Sequence, residues 1–216
     1  MKKRSSPTRE RILQHGLALM SQEGLGGVTL GQLAERVGMS KSGVFAHFRS
    51  KDEVQIGLLE DSARLANLSV VEPAMREPEG LPQLEALINH WLGWAQRAGL
   101  PGGCPVAAAM FELDDVEGPV REKVLAMEAE WRTFLRRIVR QAVDRKHLRE
   151  DLDVDQFVWE LSGIYLSHHA AQRFLRQADA DVRARTAFAA LVERARPTHG
   201  TSKRIRRVKS SSAAKR

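Results

Sequence analysis

Hydrophobic residues recur at helical spacing along almost the whole chain. Leu30, Leu33, Ala34 and Val37, for example, occupy positions i, i+3, i+4 and i+7, and therefore share one face of a helix. Beyond residue 55 the same spacing continues, without the apolar and polar alternation of a half-buried strand and without a solenoid-type repeat. The pattern predicts an all-α fold.

Prolines, glycines and charged stretches divide the second part of the chain into predicted helices. The first of these meets no proline before Pro73, so we expect it to join two domains rigidly and to transmit movement between them. We divide the chain into an N-terminal helical domain (1–55), a larger helical domain (56–196) and a tail (197–216). The predicted helices cover about residues 52–70, 82–98, 104–112, 118–146, 154–176 and 180–195.

Two short helices joined by a tight turn are predicted between residues 28 and 53. Thr29 and Gln32 form a Thr-x-x-Gln capping box at the start of the first helix, and Gly38 stands where a left-handed C-cap is needed. After the turn, Ser40 is a natural N-cap for the second helix. This layout is typical of a helix-turn-helix, whose second helix enters the major groove of DNA.

The predicted second helix, residues 41–48, presents two kinds of side chain. Val44, Phe45 and Phe48 can pack inward, whereas small or polar residues remain outside, where they suit the close approach of a helix N-terminus to base edges. Gly43 fits the same close approach, although a tight helix crossing would explain it equally well. The outward residues are Lys41, Ser42, Ala46 and His47.

A further capping box, from Ser50 to Glu53, is predicted to open the next helix. Lys51, beside the free amides of that helix start, suits a contact with a DNA phosphate. Helix-turn-helix geometry also occurs in pure packing units, so the pattern favours DNA binding while packing remains the alternative.

The segments VGMSKSG (37–43) and FAHFRSKDE (45–53) carry a family resemblance. With Arg11-Ile12-Leu13, Leu19-Met20 and Gly24 upstream, they make residues 9–55 similar to the N-terminal domain of the TetR family of one-component regulators. The resemblance implies sequence-specific binding to a palindromic operator. By motif position, the implied DNA-binding residues are Thr29, Ser40, Lys41, Ser42, Gly43, Phe45, Ala46, His47 and Lys51.

This chain departs from the family pattern at two places. The family usually has tyrosine where Phe45 stands, and the missing hydroxyl removes one phosphate hydrogen bond. It usually has alanine where His15 and Gly16 stand in the first helix. Both departures bear on the affinity for DNA more than on the resemblance to the family.

Positive charge is concentrated at the two ends of the chain. The 34 Lys and Arg against 27 Asp and Glu give a net charge of +7, and the tail 197–216 holds seven of the basic residues and no acidic one. Residues 1–55 carry nine basic and five acidic side chains, which suits a DNA-binding end. We predict that the tail is disordered; it either adds phosphate contacts or is simply solvated.

A second segment, Gly102-Gly103-Cys104-Pro105 followed by Phe111-Glu112-x-Asp114-Asp115, is similar to the regulatory half of a subset of TetR proteins. It implies a helical domain that binds a ligand and dimerises. Aromatic and sulfur-bearing residues of this half can line one apolar pocket, although each alone is more simply ordinary core. They are Trp91, Trp94, Cys104, Met110, Phe111, Trp131, Phe134, Trp159 and Tyr165.

Cys104 and the acidic cluster after it each allow two interpretations. The cysteine is either a redox or electrophile sensor or, as we favour, a small buried hydrophobe. Glu112, Asp114, Asp115 and Glu117 are interpreted as a solvated turn with capping oxygens rather than as a metal site. We assign no metal and no cofactor.

The last two predicted helices carry more apolar surface than a pair of edge helices should show. Pairing with a second copy of the chain would bury it, and two paired heads about 34–36 Å apart can reach successive major grooves. The predicted dimer contacts are Phe157, Leu161, Ile164, Phe188, Leu191 and Val192.

Other functional classes find little support in the sequence. It shows no nucleophile and base with an orienting group and no phosphate loop after a strand, so an enzyme is not expected. No membrane span, signal peptide or disulfide framework is recognisable, and we expect a cytoplasmic protein. We predict a homodimeric TetR-type repressor released from double-stranded DNA by a small apolar or amphipathic effector of unknown identity; a charge-driven architectural protein and an activator are the alternatives.

Overall fold

A computed structural model of the chain describes residues 6–197, which form helices and connecting loops without a strand. The all-α prediction is confirmed. The first helices are α1 (Pro7–Gly27), α2 (Leu30–Val37), α3 (Lys41–Phe45) and α4 (Lys51–Ala66), followed by a π-helical segment (Asn67–Val71) and α5 (Glu72–Ala74). The later ones are α6 (Leu81–Trp91), α7 (Trp94–Arg97), α8 (Pro105–Glu112), α9 (Pro119–Asp144), α10 (Val154–Arg173) and α11 (Ala180–Ala195).

Helices α1, α2 and α3, here called the head, pack around a small apolar core that α4 completes. Ile12, Leu33 and Phe48 are fully buried in it. Where α1 crosses α4, a Cβ atom on Gly16 would lie 2.7 Å from Leu58 Cδ2. The tight crossing of these two helices therefore explains why glycine replaces the family's usual alanine at this position.

Local capping signals set the helix starts of the head as predicted. Gln32 N donates to Thr29 Oγ1 at 3.2 Å, and Thr29 N donates to Gln32 Oε1 at 3.0 Å, so the capping box is present. Gly38 has a φ of 67°, and Gly43 N donates to Ser40 Oγ at 3.0 Å. These bonds satisfy amides and carbonyls that would otherwise lack partners at the helix ends.

Two details of the head differ from the predictions. Helix α3 ends at Phe45 rather than at residue 48, and the Phe45 side chain is 48% exposed instead of packed. At the start of α4, Glu53 N donates to Ser50 Oγ as expected, but the Glu53 carboxylate accepts from Arg49 N at 2.8 Å rather than from Ser50 N. The chain therefore turns one residue earlier than a regular capping box requires.

The connection between the head and the larger domain is helical from Lys51 to Ala74. Its π-helical segment, Asn67–Val71, ends two residues before Pro73, which has no N–H to donate to Ser69 O. In this segment Glu72 N donates to Asn67 O, five residues back. Wide turns of this kind accommodate a residue that does not fit the regular α-helical register, and they are frequent at functional sites.

The remaining helices lie close to their predicted positions, with one exception. The predicted helix 82–98 is broken after Trp91, because Gly93 has a φ of 68° and starts a new turn. Of the predicted tail, all but Pro197 lies outside the described residues. Within residues 6–197, no helix is both long and apolar enough to cross a membrane.

Candidate functional site

The predicted DNA-binding residues come together around α3. They lie at the start of α2, in the turn before α3, on α3 and its C-terminal flank, and at the start of α4. No side chain among them is fully buried. The exposed ones are Thr29, Ser40, Lys41, Ser42, Phe45, Ala46 and Lys51, and Gly43 and His47 are half-buried.

The surroundings of Gly43 test one of the two explanations offered for this glycine, a tight helix crossing. A Cβ atom there would meet Met39 Cε at 3.1 Å and Ser40 Oγ at 3.3 Å, both in the turn just before α3. Because no crossing helix supplies the nearest atoms, a helix crossing is not the reason for the glycine. The close approach of α3 to DNA at Gly43 stays a prediction, and the contacts with Met39 and Ser40 already disfavour a larger residue there.

A cavity of about 350 Å³ lies in the larger domain. Its walls come from α4, the π-helical segment, α6 to α10, and the residue that precedes α8. The size suits a small organic ligand. The structure brings seven of the nine predicted pocket residues to its lining: Trp91, Trp94, Cys104, Met110, Trp131, Phe134 and Tyr165.

Aromatic rings build one side of this cavity. The rings of Trp91 and Tyr165 stack with centroids 4.0 Å apart, and Trp131 meets Trp91 edge-on at 4.9 Å. Trp94 Nε1 donates to Tyr165 Oη at 3.1 Å. Burial raises the pKa of Tyr165 well above its ordinary value, and the neighbouring Cys104 thiol acts in the same direction. The phenol therefore stays neutral and serves as a fixed hydrogen-bonding group.

The pocket prediction is corrected at two positions. Phe111 and Trp159 are 60% and 64% exposed, and neither lines the cavity. Phe111 follows Met110 directly on α8, but it is rotated by about 100° from Met110 and faces solvent. Cys104, by contrast, is buried at the cavity wall, which agrees with its interpretation as a small buried hydrophobe.

Sequence reasoning missed the part of the lining that α4 and the π-helical segment supply. Ser62, Ala66 and Val70 face the cavity. Their spacing of four residues is a helical signal, but small residues of this kind are equally common at any helix contact. Pro73, which marks the irregular turn, was the available hint.

The predicted dimer contacts require a correction as well. Of the six, all but the half-buried Ile164 are at most 8% exposed within one chain, because α10 and α11 pack against each other and against the core. They are therefore core residues, and the surplus of apolar surface lies elsewhere on the same helices. The large exposed apolar side chains there are Trp159 on α10, Phe174 and Leu175 just after it, and Val182 on α11.

The loop before α8 contacts the head near the N-terminal end of α8. Gly102 N donates to Ser21 Oγ and Gly103 N donates to Ser21 O, each at 3.1 Å. A Cβ atom on Gly102 would lie only 1.6 Å from Ser21 O. The glycine is therefore required for the loop to reach the backbone of α1.

At its other end, α8 holds the head through Glu112. The carboxylate accepts from Leu25 N at 3.1 Å and from Gly26 N at 2.9 Å, just after Gly24 bends α1 with a φ of 78°. Gln55 Nε2 donates to Leu25 O at 2.9 Å from the side of α4. The interpretation of Glu112 as part of a solvated turn was wrong: its oxygens do cap amides, but amides of the head.

Comparison with known proteins matches both parts of the chain to one group. The family described as "Bacterial regulatory proteins, tetR family" matches residues 12–55, and "Tetracyclin repressor-like, C-terminal domain" matches residues 80–188. The nucleoid occlusion factor SlmA of Sodalis glossinidius (strain morsitans) is 32% identical over 133 residues, or 59% of this chain and 66% of that protein. The chain thus spans slightly less than two thirds of that relative's length.

Solved structures extend the likeness over most of the chain. A TetR transcriptional regulator from Chloroflexus aurantiacus J-10-FL has a TM-score of 0.76 at 24% identity, covering 86% of this chain and 92% of that one. AibR, solved in complex with isovaleryl coenzyme A and operator DNA, has a TM-score of 0.64 at 18% identity, covering 83% and 97%. At these identities the likeness shows a shared fold.

Proposed function

The chain belongs to the TetR family of DNA-binding transcriptional regulators, and on that premise we propose that it is a homodimeric repressor released from its operator by a small molecule. The head binds DNA, the cavity of about 350 Å³ binds the effector, and the effector changes the position of the head. One observation carries the proposal: two walls of the cavity, α4 and α8, are also the two elements that hold α1.

For DNA recognition we propose that Lys41, Ser42, Ala46 and His47 lie nearest the bases. Lys41 and Ser42 are exposed at the N-terminal end of α3, and Ala46 and the half-buried His47 follow its C-terminal end, which supports this assignment. Thr29, Ser40, Phe45 and Lys51 would lie near the sugar-phosphate backbone, with Gly43 allowing the close approach. Phe45 can offer only apolar contact there, so Lys51 and the amides at the start of α4 are the proposed phosphate ligands.

For the dimer we propose the outer face of α10 and α11. Trp159 and Gly163 are one helical turn apart on α10, and both are exposed; Val182 on α11 is 65% exposed. A Cβ atom on Gly163 would meet nothing within 4 Å, so there is room for a neighbouring helix. A second copy of the same helix pair would bury this surface.

The proposed dimer is tested by sedimentation of the full chain at micromolar concentration. A dimer mass is expected, and Trp159→Glu should shift it to a monomer because the charge would be buried at the interface. Val116→Glu, which changes an exposed apolar residue outside this face, is the matched control. A monomeric wild-type chain would contradict the proposal.

The proposed coupling runs through α4 and α8. Ser62 and Ala66 of α4 line the cavity, and the same helix begins at Lys51 beside the DNA-reading residues. Cys104, just before α8, and Met110 on it line the cavity as well, while the loop before α8 and the end of α8 bond to α1. A ligand that moves either wall changes the head, and a coupling of about 1–3 kcal/mol is typical of such systems.

Fluorescence anisotropy on the chain's own upstream DNA tests the DNA-binding part of the proposal. Binding should exceed that to a scrambled duplex by about 10³ or more at near-physiological salt. Lys41→Ala should reduce the specific affinity, whereas Lys146→Ala, a change in the larger domain, should leave it unchanged. Equal, weak binding to both duplexes would favour the alternative of a charge-driven architectural protein.

The similarity to a nucleoid occlusion factor supports a second candidate, namely a chromosomal binder that acts outside transcription. Genome-wide occupancy distinguishes the two. Binding confined to one or a few promoters, with raised transcription there when the gene is deleted, supports the repressor. Lowered transcription would instead indicate an activator, and sites scattered away from promoters would favour the second candidate.

A further inference from the structure

Two hydrogen-bonding groups in the cavity wall have no partner within the described residues. Ser62 is fully buried on α4, and its Oγ makes no hydrogen bond; the Nε1 of Trp131, on α9, is buried and equally unpaired. Both residues line the cavity. Because buried polar groups in proteins are nearly always hydrogen-bonded, two unmet donors in one cavity indicate that something else supplies the acceptors.

A second serine in the same wall shows what an ordinary buried hydroxyl does. Ser162, on α10, also lines the cavity, but its Oγ donates to Val158 O at 2.8 Å, four residues back in its own helix. This is the usual solution for a serine within a helix. Ser62 does not bond to its own helix in this way, so its buried hydroxyl is left without an acceptor among the described residues.

Three other polar side chains of the wall are already engaged. Trp94 Nε1 donates to Tyr165 Oη at 3.1 Å, and Asn67 Nδ2 donates to Glu72 Oε1 at 3.0 Å. Glu128 accepts from Arg132 Nε at 2.7 Å. The unmet need in the cavity is therefore for acceptors, and it is located at Ser62 and Trp131.

The charged residues of the cavity lining further restrict the chemical class of the ligand. Within residues 6–197, the charged residues of the lining are Glu128 and Glu130, and the lining contains no lysine, arginine or histidine. Because Glu128 is paired with Arg132, the unpaired charge of the lining is that of Glu130, and a carboxylate or phosphate would find no cation among the lining residues. An ammonium ion, for its part, has no lone pair to accept from Ser62 or Trp131.

We propose that the cavity takes an uncharged, ring-bearing apolar molecule whose carbonyl or comparable oxygen atoms accept hydrogen bonds from Ser62 Oγ and Trp131 Nε1. The stacked rings of Trp91 and Tyr165 and the edge-on Trp131 supply flat surfaces for such rings. This inference rests on the proposed function for the role of the ligand as effector. The same chemistry disfavours free carboxylic acids.

The test uses four naphthalenes of nearly equal shape, measured by calorimetry on the full chain without DNA. The probes are 2-acetylnaphthalene, 2-ethylnaphthalene, 2-naphthoate and 2-naphthylmethylammonium. The ketone should bind about fivefold more tightly than the hydrocarbon for one hydrogen bond gained, and both ions should bind more weakly than the ketone. Tighter binding of naphthoate, equal binding of ketone and hydrocarbon, or no binding of any probe at millimolar concentration would overturn the proposal.

Single substitutions test whether Ser62 and Trp131 cause the preference for the ketone. Ser62→Ala and Trp131→Phe should each reduce the preference for the ketone over the hydrocarbon, whereas Ser162→Ala, with its hydroxyl already bonded, should keep it. Ser62→Ala should also raise the melting temperature by about 2–4 °C or leave it unchanged, because it removes an unpaired buried hydroxyl. A lower melting temperature, or an unchanged preference in both variants, would contradict the assignment.

These measurements involve no DNA, so they stand apart from the test of the proposed function. If the ketone shows the expected preference but DNA-bound protein is not released at saturating probe, the ligand chemistry holds and the effector role fails. If the chain binds its operator specifically but naphthoate is the preferred probe, the DNA-binding part of the proposed function holds and the proposed ligand chemistry fails.

Discussion

The head is held by two elements in different ways. Against α4 it packs through apolar side chains in van der Waals contact, as where Gly16 meets Leu58 and where a Cβ on Gly57 would lie 3.1 Å from Leu13 Cδ2. Against α8 it is held largely at backbone atoms, through Ser21 and through the amides beside Gly24. The apolar contact is spread over many individually weak atom pairs, whereas each hydrogen bond depends on distance and angle.

The difference suggests that the α4 contact and the α8 contact have different roles. The α4 contact belongs to the core of the head and must survive any change in the larger domain. The α8 contact involves a few directional bonds, each worth about 0.5–1.5 kcal/mol, which is within reach of ligand binding. The α8 contact is therefore the one we expect to change between the two states of the regulator.

The largest effect is expected from Gly102→Ala. The new methyl group would lie 1.6 Å from Ser21 O, so the loop must leave α1 and both bonds to Ser21 are lost. We expect a loss of about 2–4 kcal/mol in the free energy of unfolding. Urea denaturation measures it.

Gly26→Ala is the matched control for Gly102→Ala, since a Cβ atom there would make ordinary contact with Glu112 at 3.7 Å. Its free energy of unfolding should change by less than about 1 kcal/mol. If Gly102→Ala were as stable as this control, the α8 contact would not have the tight geometry described above.

A smaller effect is expected from Glu112→Ala. Two amides of α1 lose their acceptor, but the carboxylate is exposed, so we expect a loss of only about 1 kcal/mol. Hydrogen exchange should become faster at Leu25 and Gly26 and remain unchanged in α4 at Leu58 and Leu59. Equal acceleration at all four amides would show that the two contacts are not independent.

The smallest effect concerns pH. His169 lies beside the loop before α8, since a Cβ atom on Gly103 would be 2.8 Å from its Cε1. Burial, then the charges of Arg173 and His168, lower the pKa of His169 below 6.5. The unfolded chain therefore binds a proton first, and stability falls as the pH drops through 6.5.

Melting temperatures between pH 8 and pH 5.5 test this expectation. In His169→Gln the part of the decline that begins near pH 6.5 should be absent. A variant curve parallel to that of the wild type would show that His169 contributes nothing to it.

Features that depend on residues close together in the sequence could be predicted, and features that depend on distant residues could not. The caps at Thr29, Gly38 and Ser40 are decided by residues within four positions, so reading the sequence was sufficient. The same is true of most helix bounds. The exposure of Phe45 was not predictable in this way, because it depends on whether α3 continues for another turn.

The cavity and the α8 contact depend on residues that are far apart in the chain. Glu112 caps amides 86 and 87 positions away, and nothing near Glu112 in the sequence distinguishes it from the acidic residues that follow. In α10, Phe157 is buried and Trp159 is exposed. Both are apolar and both suit a helix face, so only the packed structure decides which one faces the core.

The π-helical segment changes the direction in which side chains point along the helical connection between the head and the larger domain. The residues of α4 and this segment that face the cavity recur every four positions, as in Ser62, Ala66 and Val70. A regular helix repeats every 3.6 residues, so such a row would rotate by about 40° per step and about 80° over two steps. The wide turn at Asn67–Val71 reduces that rotation and keeps Val70 directed at the cavity. Its extra residue therefore aligns the two ends of this wall while the residues before Asn67 keep their regular helical positions.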